Sequence, residues 1–124
     1  MSHVLEFQDS EVLDVVADGA TVRLRLSAAA VVDDSGQRGW LGPVRLELDG
    51  ATLQGDPTHA FGKVAEGRLR HDGRDLARLA LPGTLVGAVE LTLRLANGTR
   101  LVVQGRALAA GVADDARFTE DASC

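Results

Sequence analysis

Leu91-Thr92-Leu93-Arg94-Leu95-Ala96-Asn97-Gly98-Thr99-Arg100-Leu101-Val102-Val103 alternates apolar and polar residues on both sides of an Asn-Gly pair. Asx-Gly between two alternating runs is the strongest short-range signal for a β-hairpin, because the tight turn needs positive φ, which Gly and Asx tolerate. Register can be tested on the same stretch. A two-residue turn over Asn97-Gly98 sets Leu95 opposite Arg100 and puts Leu101 and Val103 on the polar face. A three-residue loop, Ala96-Asn97-Gly98, sets Leu93 opposite Leu101 and Leu91 opposite Val103. Facing residues share one side of a sheet, so the spacing predicts the three-residue loop with Gly98 left-handed in a bulge.

Three more Asx-Gly pairs punctuate the chain: Asp18-Gly19, Asp49-Gly50 and Asp72-Gly73. Read as two-residue turns, they pair Val15 with Val22, Leu13 with Leu24 and Asp14 with Arg23 at the first. They pair Leu48 with Ala51 and Leu46 with Leu53 at the second, and Leu69 with Leu76 and Arg70 with Asp75 at the third. Four hairpins imply about eight strands, the longest over residues 21–32, 85–96 and 99–109. The expected fold is therefore all-β, an antiparallel β-sandwich or small β-barrel. Gly87 and Gly105 mark bends within the long strands. The best helix candidate is short, residues 57–64 after Asp56-Pro57, and Gly62 argues against it. Residues 33–42 read as a polar loop holding Trp40, and residues 55–63 as a second loop with Pro57, His59 and Phe61. Residues 1–109 form a single β-domain. An acidic tail, 110–124, is either disordered or adds a short edge strand over 112–119.

With 124 residues the chain is one domain that buries roughly two-thirds of its unfolded surface. Its hydrophobic content of 45% argues against a disordered chain, and with Phe7, Phe61, Phe118 and Trp40 the only aromatics the core must be aliphatic. Net charge is −5, the opposite of the basic excess a nucleic-acid binder uses to neutralise phosphates. Lys63 is the sole lysine. Arginine, alanine and glycine usage fits a GC-rich bacterial coding bias. The lone cysteine, Cys124, allows no intrachain disulfide, and the acidic opening MSHVLEFQDSEVLDVV is no signal peptide. No apolar run reaches a membrane span. A soluble, cytoplasmic protein is expected.

Chemistry-bearing residues are sparse. Nucleophilic catalysis needs a nucleophile beside a positioned base, yet His3, His59 and His71 accompany no such signature. Asp33-Asp34-Ser35-Gly36 lacks the alternating ligands and closing Glu of a calcium loop. Asp14, Glu47 and Glu90 are expected to pair with cross-strand arginines, and Arg68, Arg70, Arg74 and Arg78 alternate with Glu66, Asp72 and Asp75 as a mixed-charge surface. No catalytic residue, cofactor or metal site is therefore assigned. Trp40 is the residue of most interest. It is expected to plug one end of the core, with its indole N–H hydrogen-bonded, or else to stand exposed as a contact anchor. Trp40, Arg38, His59 and Phe61 make up the candidate interaction surface.

The opening Phe7-Gln8-Asp9-Ser10-Glu11-Val12-Leu13, the Asp18-Gly19 turn after it and the run Val22-Arg23-Leu24-Arg25-Leu26 resemble the start of some small, uncharacterised β-rich bacterial proteins. Residues 87–103 are similar to their last hairpin. The resemblance implies no activity and carries over no functional residue. The expected function is a non-catalytic protein-interaction or binding module, in an antagonist or immunity-like role, acting on a protein partner or by self-association, with neither nucleic acid nor membrane. The alternatives are a small-molecule carrier, whose cavity would be lined by Ala28, Ala29, Ala30, Ala88, Ala107 and Ala109, and an enzyme of unrecognised type.

Overall fold

The computed structural model describes residues 3–120. Its strands are β1 (His3–Asp18), β2 (Thr21–Asp33), β3 (Arg38–Asp49), β4 (Thr52–Gln54), β5 (Gly62–His71), β6 (Arg74–Leu76), β7 (Leu79–Leu81), β8 (Gly83–Leu95) and β9 (Arg100–Glu120). The candidate helix shrinks to one 3-10 turn, Pro57–His59. The strands form a single antiparallel sheet in the order β6-β5-β8-β9-β3-β2-β1-β7, with β4 also on β9. The sheet curls until β5 meets β1 at Glu11–Lys63 and Val12–Gly62. Strands β1-β2-β3-β9-β8-β5 thus make a barrel-like ring.

Alternation supplies the core. Along β3, Gly39, Leu41, Val44, Leu46 and Leu48 are buried, while Arg38, Pro43, Arg45 and Asp49 are exposed. Leu26, Leu46, Leu48, Leu91, Leu93 and Leu101 are all fully buried, each contributing about 1.5–3 kcal/mol relative to an exposed side chain.

Two hairpins have the predicted register. Leu69 faces Leu76 and Arg70 faces Asp75 across Asp72-Gly73, both of which take positive φ. The left-handed Asp72 is locked from outside its own turn, since its N–H donates to the Ala88 carbonyl (2.8 Å) and its carboxylate accepts from the Ala88 N–H (3.0 Å). Leu93 faces Leu101 and Leu91 faces Val103, and Gly98 has φ +92°.

The other two Asx-Gly pairs act differently. At the first, Gly19-Ala20 is the loop, so Asp18 faces Thr21, Val15 faces Leu24 and Asp14 faces Arg25. Only Gly19, at φ +60°, is left-handed there, the type II′ arrangement, which spares Asp18 that conformation. The pairing slides by two residues, so the faces are kept but the partners change. Leu13 falls in a bulge and is 49% exposed instead of facing Leu24. Asp49-Gly50 is not a hairpin at all. Asp49 pairs with Ala107 and Thr52 with Gln104, so β3 and β4 lie in one continuous register along β9. Gly50, at φ +58°, kinks the chain, and the Ala51 N–H bonds the Ala20 carbonyl (2.7 Å). Leu48 and Leu46 face β2 and β9, not Ala51 and Leu53.

The reversal that the dipeptides do not mark lies between β2 and β3. Residues 34–37 make a tight turn, because the Asp33 carboxylate accepts from the Ser35 N–H (2.9 Å), the Ser35 hydroxyl (2.6 Å) and the Gln37 N–H (2.9 Å). These bonds, led by the Ser35 hydroxyl, also lower the Asp33 pKa. The expected loop over 33–42 is therefore mostly strand, and Trp40 lies within β3. The expected tail is strand too. Residues 110–120 continue β9, and Arg117, Phe118, Thr119 and Glu120 pair with β3. Its last residues, 121–124 with Cys124, lie outside the described ones.

The Phe7-Gln8-Asp9-Ser10 element is a bulge in β1. Pairing with β2 jumps from Glu6–Ala30 to Glu11–Ala28, so four residues of β1 stand opposite Ala29 alone. Phe7 turns into the core and Asp9 is left-handed at φ +71°. Ser10, fully buried, repairs the broken ladder. Its hydroxyl donates to the Glu6 carbonyl (2.8 Å) and accepts from the Ala30 N–H (2.9 Å). The hydroxyl thus bridges two partly buried backbone groups across the widened ladder.

Candidate functional site

Trp40 alternates with buried Gly39 and Leu41, so it points to the outer face of β3 and is half-buried there. Ala30 flanks it on β2 and Thr119 on β9. The β1 bulge rises opposite. Between them runs a groove of about 280 Å³ lined by Trp40, Arg38, Ala30, Glu6, Gln8 and Asp9. Small Ala30 makes its floor, Trp40 one wall, and the bulge the other. Its charges are held in place: Arg38 bonds Glu6 (3.1 Å), Arg78 approaches Glu6 at 3.9 Å, and Lys63 meets Asp9 at 3.3 Å.

The loop placement of Trp40 is thus corrected: it stands on the outer face of a strand and is partly buried there. On the other face Phe118 lies over Gly39 and against the His3 ring, with centroids 5.3 Å apart. His3 begins β1 and pairs with Asp33 and Leu81. Leu41, next to Trp40, enters the core, and Pro43 is exposed.

His59 and Phe61 form a separate feature. The 3-10 turn is capped by Asp56, whose carboxylate accepts from the Thr58 N–H (2.9 Å), the Thr58 hydroxyl (2.6 Å) and His59 Nδ1 (2.7 Å). Asn97 donates to the His59 and Phe61 carbonyls (2.9 and 3.4 Å) and Thr99 to that of His59 (3.1 Å), tying the segment to the β8–β9 turn. Phe61 is half exposed. Thr99 precedes β9 and Thr119 nearly ends it, so the four candidates divide into two pairs at opposite ends of β9.

The Thr58 hydroxyl first, and His59 second, lower the Asp56 pKa to about 2. An unfolded aspartate titrates at about 3.9. The folded value is the lower one, so the stabilising contribution is present above the unfolded value and is lost as pH falls through about 2. We expect a carboxyl titration by NMR to place Asp56 near 2 in the native chain and to move upward in Thr58→Val. An Asp56 midpoint at the free-aspartate value would remove the capping geometry.

The outer faces elsewhere carry mixed charge. Asp14 pairs with Arg25, Glu47 with Arg23 (3.3 Å), Asp75 with Arg68 (3.0 Å) and Glu66 with Arg94 (3.2 Å). Glu90 faces Arg70 across the β5–β8 ladder as expected, but its carboxylate accepts from Gln104 (2.8 Å) on the other side. Among the described residues no group of three His, Cys, Asp or Glu side chains is placed to hold a metal ion. No helix among them is long and apolar enough to cross a membrane. No family model, curated protein or solved structure matches the chain.

Proposed function

We propose that this chain is a non-catalytic protein-binding module that meets its partner through the groove between Trp40 and the β1 bulge. The observation that carries this reading is the outward-facing, partly buried Trp40 beside the exposed Arg38, on a sheet whose buried leucine core does not include it. Tryptophan and arginine are the side chains that most often dominate binding energy at protein interfaces. An antagonist or immunity-like role in the bacterial cytoplasm suits such a module, and a chain with one cysteine fits a reducing compartment. The carrier alternative is weakened by the alanines meant to line its cavity: of the six only Ala29 is buried. The enzyme alternative is weakened because the Asp56–His59 pair is exposed, not set in a cleft.

Two results test the reading together. Trp40→Ala is expected to change unfolding free energy by less than about 1 kcal/mol, well short of the roughly 3–5 kcal/mol of a core aromatic. The native Trp40 emission should be readily quenched by iodide. A partner retained by the tagged wild type from its native host should be lost by Trp40→Ala and kept by Val86→Ser, a change at an exposed site away from the groove. A core-sized stability loss, or unchanged retention by Trp40→Ala, would reject this contact surface.

A further inference from the structure

We propose that a second copy of this chain docks on the outer face where β3 meets β9, in a two-fold dimer held by Arg45 and the pair Asp114-Asp115. A groove of about 680 Å³ lies there, lined by Arg45, Glu47, the small residues of 109–113, Asp114 and Asp115. A row of outward residues leads to it across four strands: Asp14, Arg25, Arg45, Gly111. Arg25 is taken by Asp14 and Glu47 by Arg23. Arg45 faces the like charge of Arg25 across the ladder, an unfavourable pairing, and has no ion-pair partner among the described residues. Asp114 and Asp115, both exposed, also lack one among those residues. One groove is therefore lined by unanswered charge of both signs.

That arrangement is self-complementary. In a two-fold contact residue i meets j and j meets i, so each Arg45 meets Asp114 and Asp115 of the partner subunit and every ionic contact is made twice. The floor allows the approach. Gly111 is not left-handed, and a Cβ added there would meet nothing within 4 Å. Neither turn geometry nor packing inside the fold explains this mid-strand glycine, and a bare backbone position of this kind suits close contact with another chain. The edge of β9 is open as well. β8 begins at Gly83 opposite Ala110; beyond that pair β9 is paired only with β3, at 111–112 and again at 117–120, and residues 113–116, Asp114 and Asp115 among them, bulge out between these stretches with no ladder partner among the described residues. Such an edge presents unpaired N–H and C=O groups to an incoming chain.

Sedimentation velocity on the full chain, from micromolar to submillimolar concentration, tests this. Wild type is expected to show a monomer–dimer equilibrium. Arg45→Glu, and separately the double change Asp114→Arg with Asp115→Arg, should each weaken it about tenfold or more. Mixing these two proteins should restore dimers, because position 45 of each then again meets opposite charge at positions 114 and 115 of the other. Gly111→Leu should block association while its circular dichroism stays that of wild type. A wild type that is monomeric throughout, variants that dimerise as wild type does, or a mixture no more associated than its components would each overturn the proposal.

Discussion

Phe7→Ala is expected to destabilise the fold by about 3–5 kcal/mol, measured as a fall in the urea midpoint at unchanged slope. Phe7 is 5% exposed and is the only aromatic among the buried hydrophobic side chains. It reaches the core from a bulge that the ladder alone would not stabilise, and it packs directly on Gly67 of β5, where a Cβ would collide with the Phe7 Cβ. Removing the ring leaves a void under β5 next to the place where the ring of strands closes. A typical domain has a margin of about 5–15 kcal/mol, so the variant loses a large part of it. A loss below about 1 kcal/mol would mean that Phe7 is not the anchor of the bulge.

The second large effect is expected at Gly42. A Cβ there would be driven into the Ser27 carbonyl oxygen and crowd the Ala28 Cα, both backbone atoms of the neighbouring strand. Flexible side chains can yield to such a clash; paired backbones cannot without parting. Gly42→Ala should therefore cost about 3 kcal/mol, at the upper end of ordinary overpacking. Its damage should centre on the β2–β3 ladder, which pairs Leu26 with Val44 and Ala29 with Leu41 on either side. Amide exchange in native conditions should quicken at those residues. A wild-type melting curve for Gly42→Ala would show that the two strands are farther apart than described.

How much of this was legible in the sequence depended on whether local chemistry and long-range pairing pointed the same way. At Asp72-Gly73 and Ala96-Asn97-Gly98 they did, and the register was readable residue by residue. At Asp49-Gly50 the dipeptide correctly marks a left-handed glycine, but left-handed φ serves a kink as well as a reversal, and only the distant β9 decides between them. The true reversal after Asp33 uses side-chain bonds to the backbone, an Asx turn, whose sequence looks like any polar loop. The outward direction of Trp40 is hidden for a related reason: a loop over residues 33–42 carries no alternation, whereas in β3 alternation sends Trp40 outward and Leu41 inward. Of the candidate surface, Trp40 and Arg38 share a groove, while His59 and Phe61 belong to the other end. The Arg45 groove went unread because its walls, 45–47 and 109–115, are far apart in sequence and join only through the β3–β9 ladder.

The seam between β1 and β5 has a dynamic consequence. Every other junction in the ring is a ladder many residues long, whereas this one is Glu11–Lys63 and Val12–Gly62. The molecule is thus a curled ribbon fastened by a clasp, with the Lys63–Asp9 ion pair beside it at the surface. Breathing there needs few bonds to break, so it should occur far more often than global unfolding. Each such opening would briefly wet the leucine interior from one side, leaving the hairpins on either side of the clasp intact.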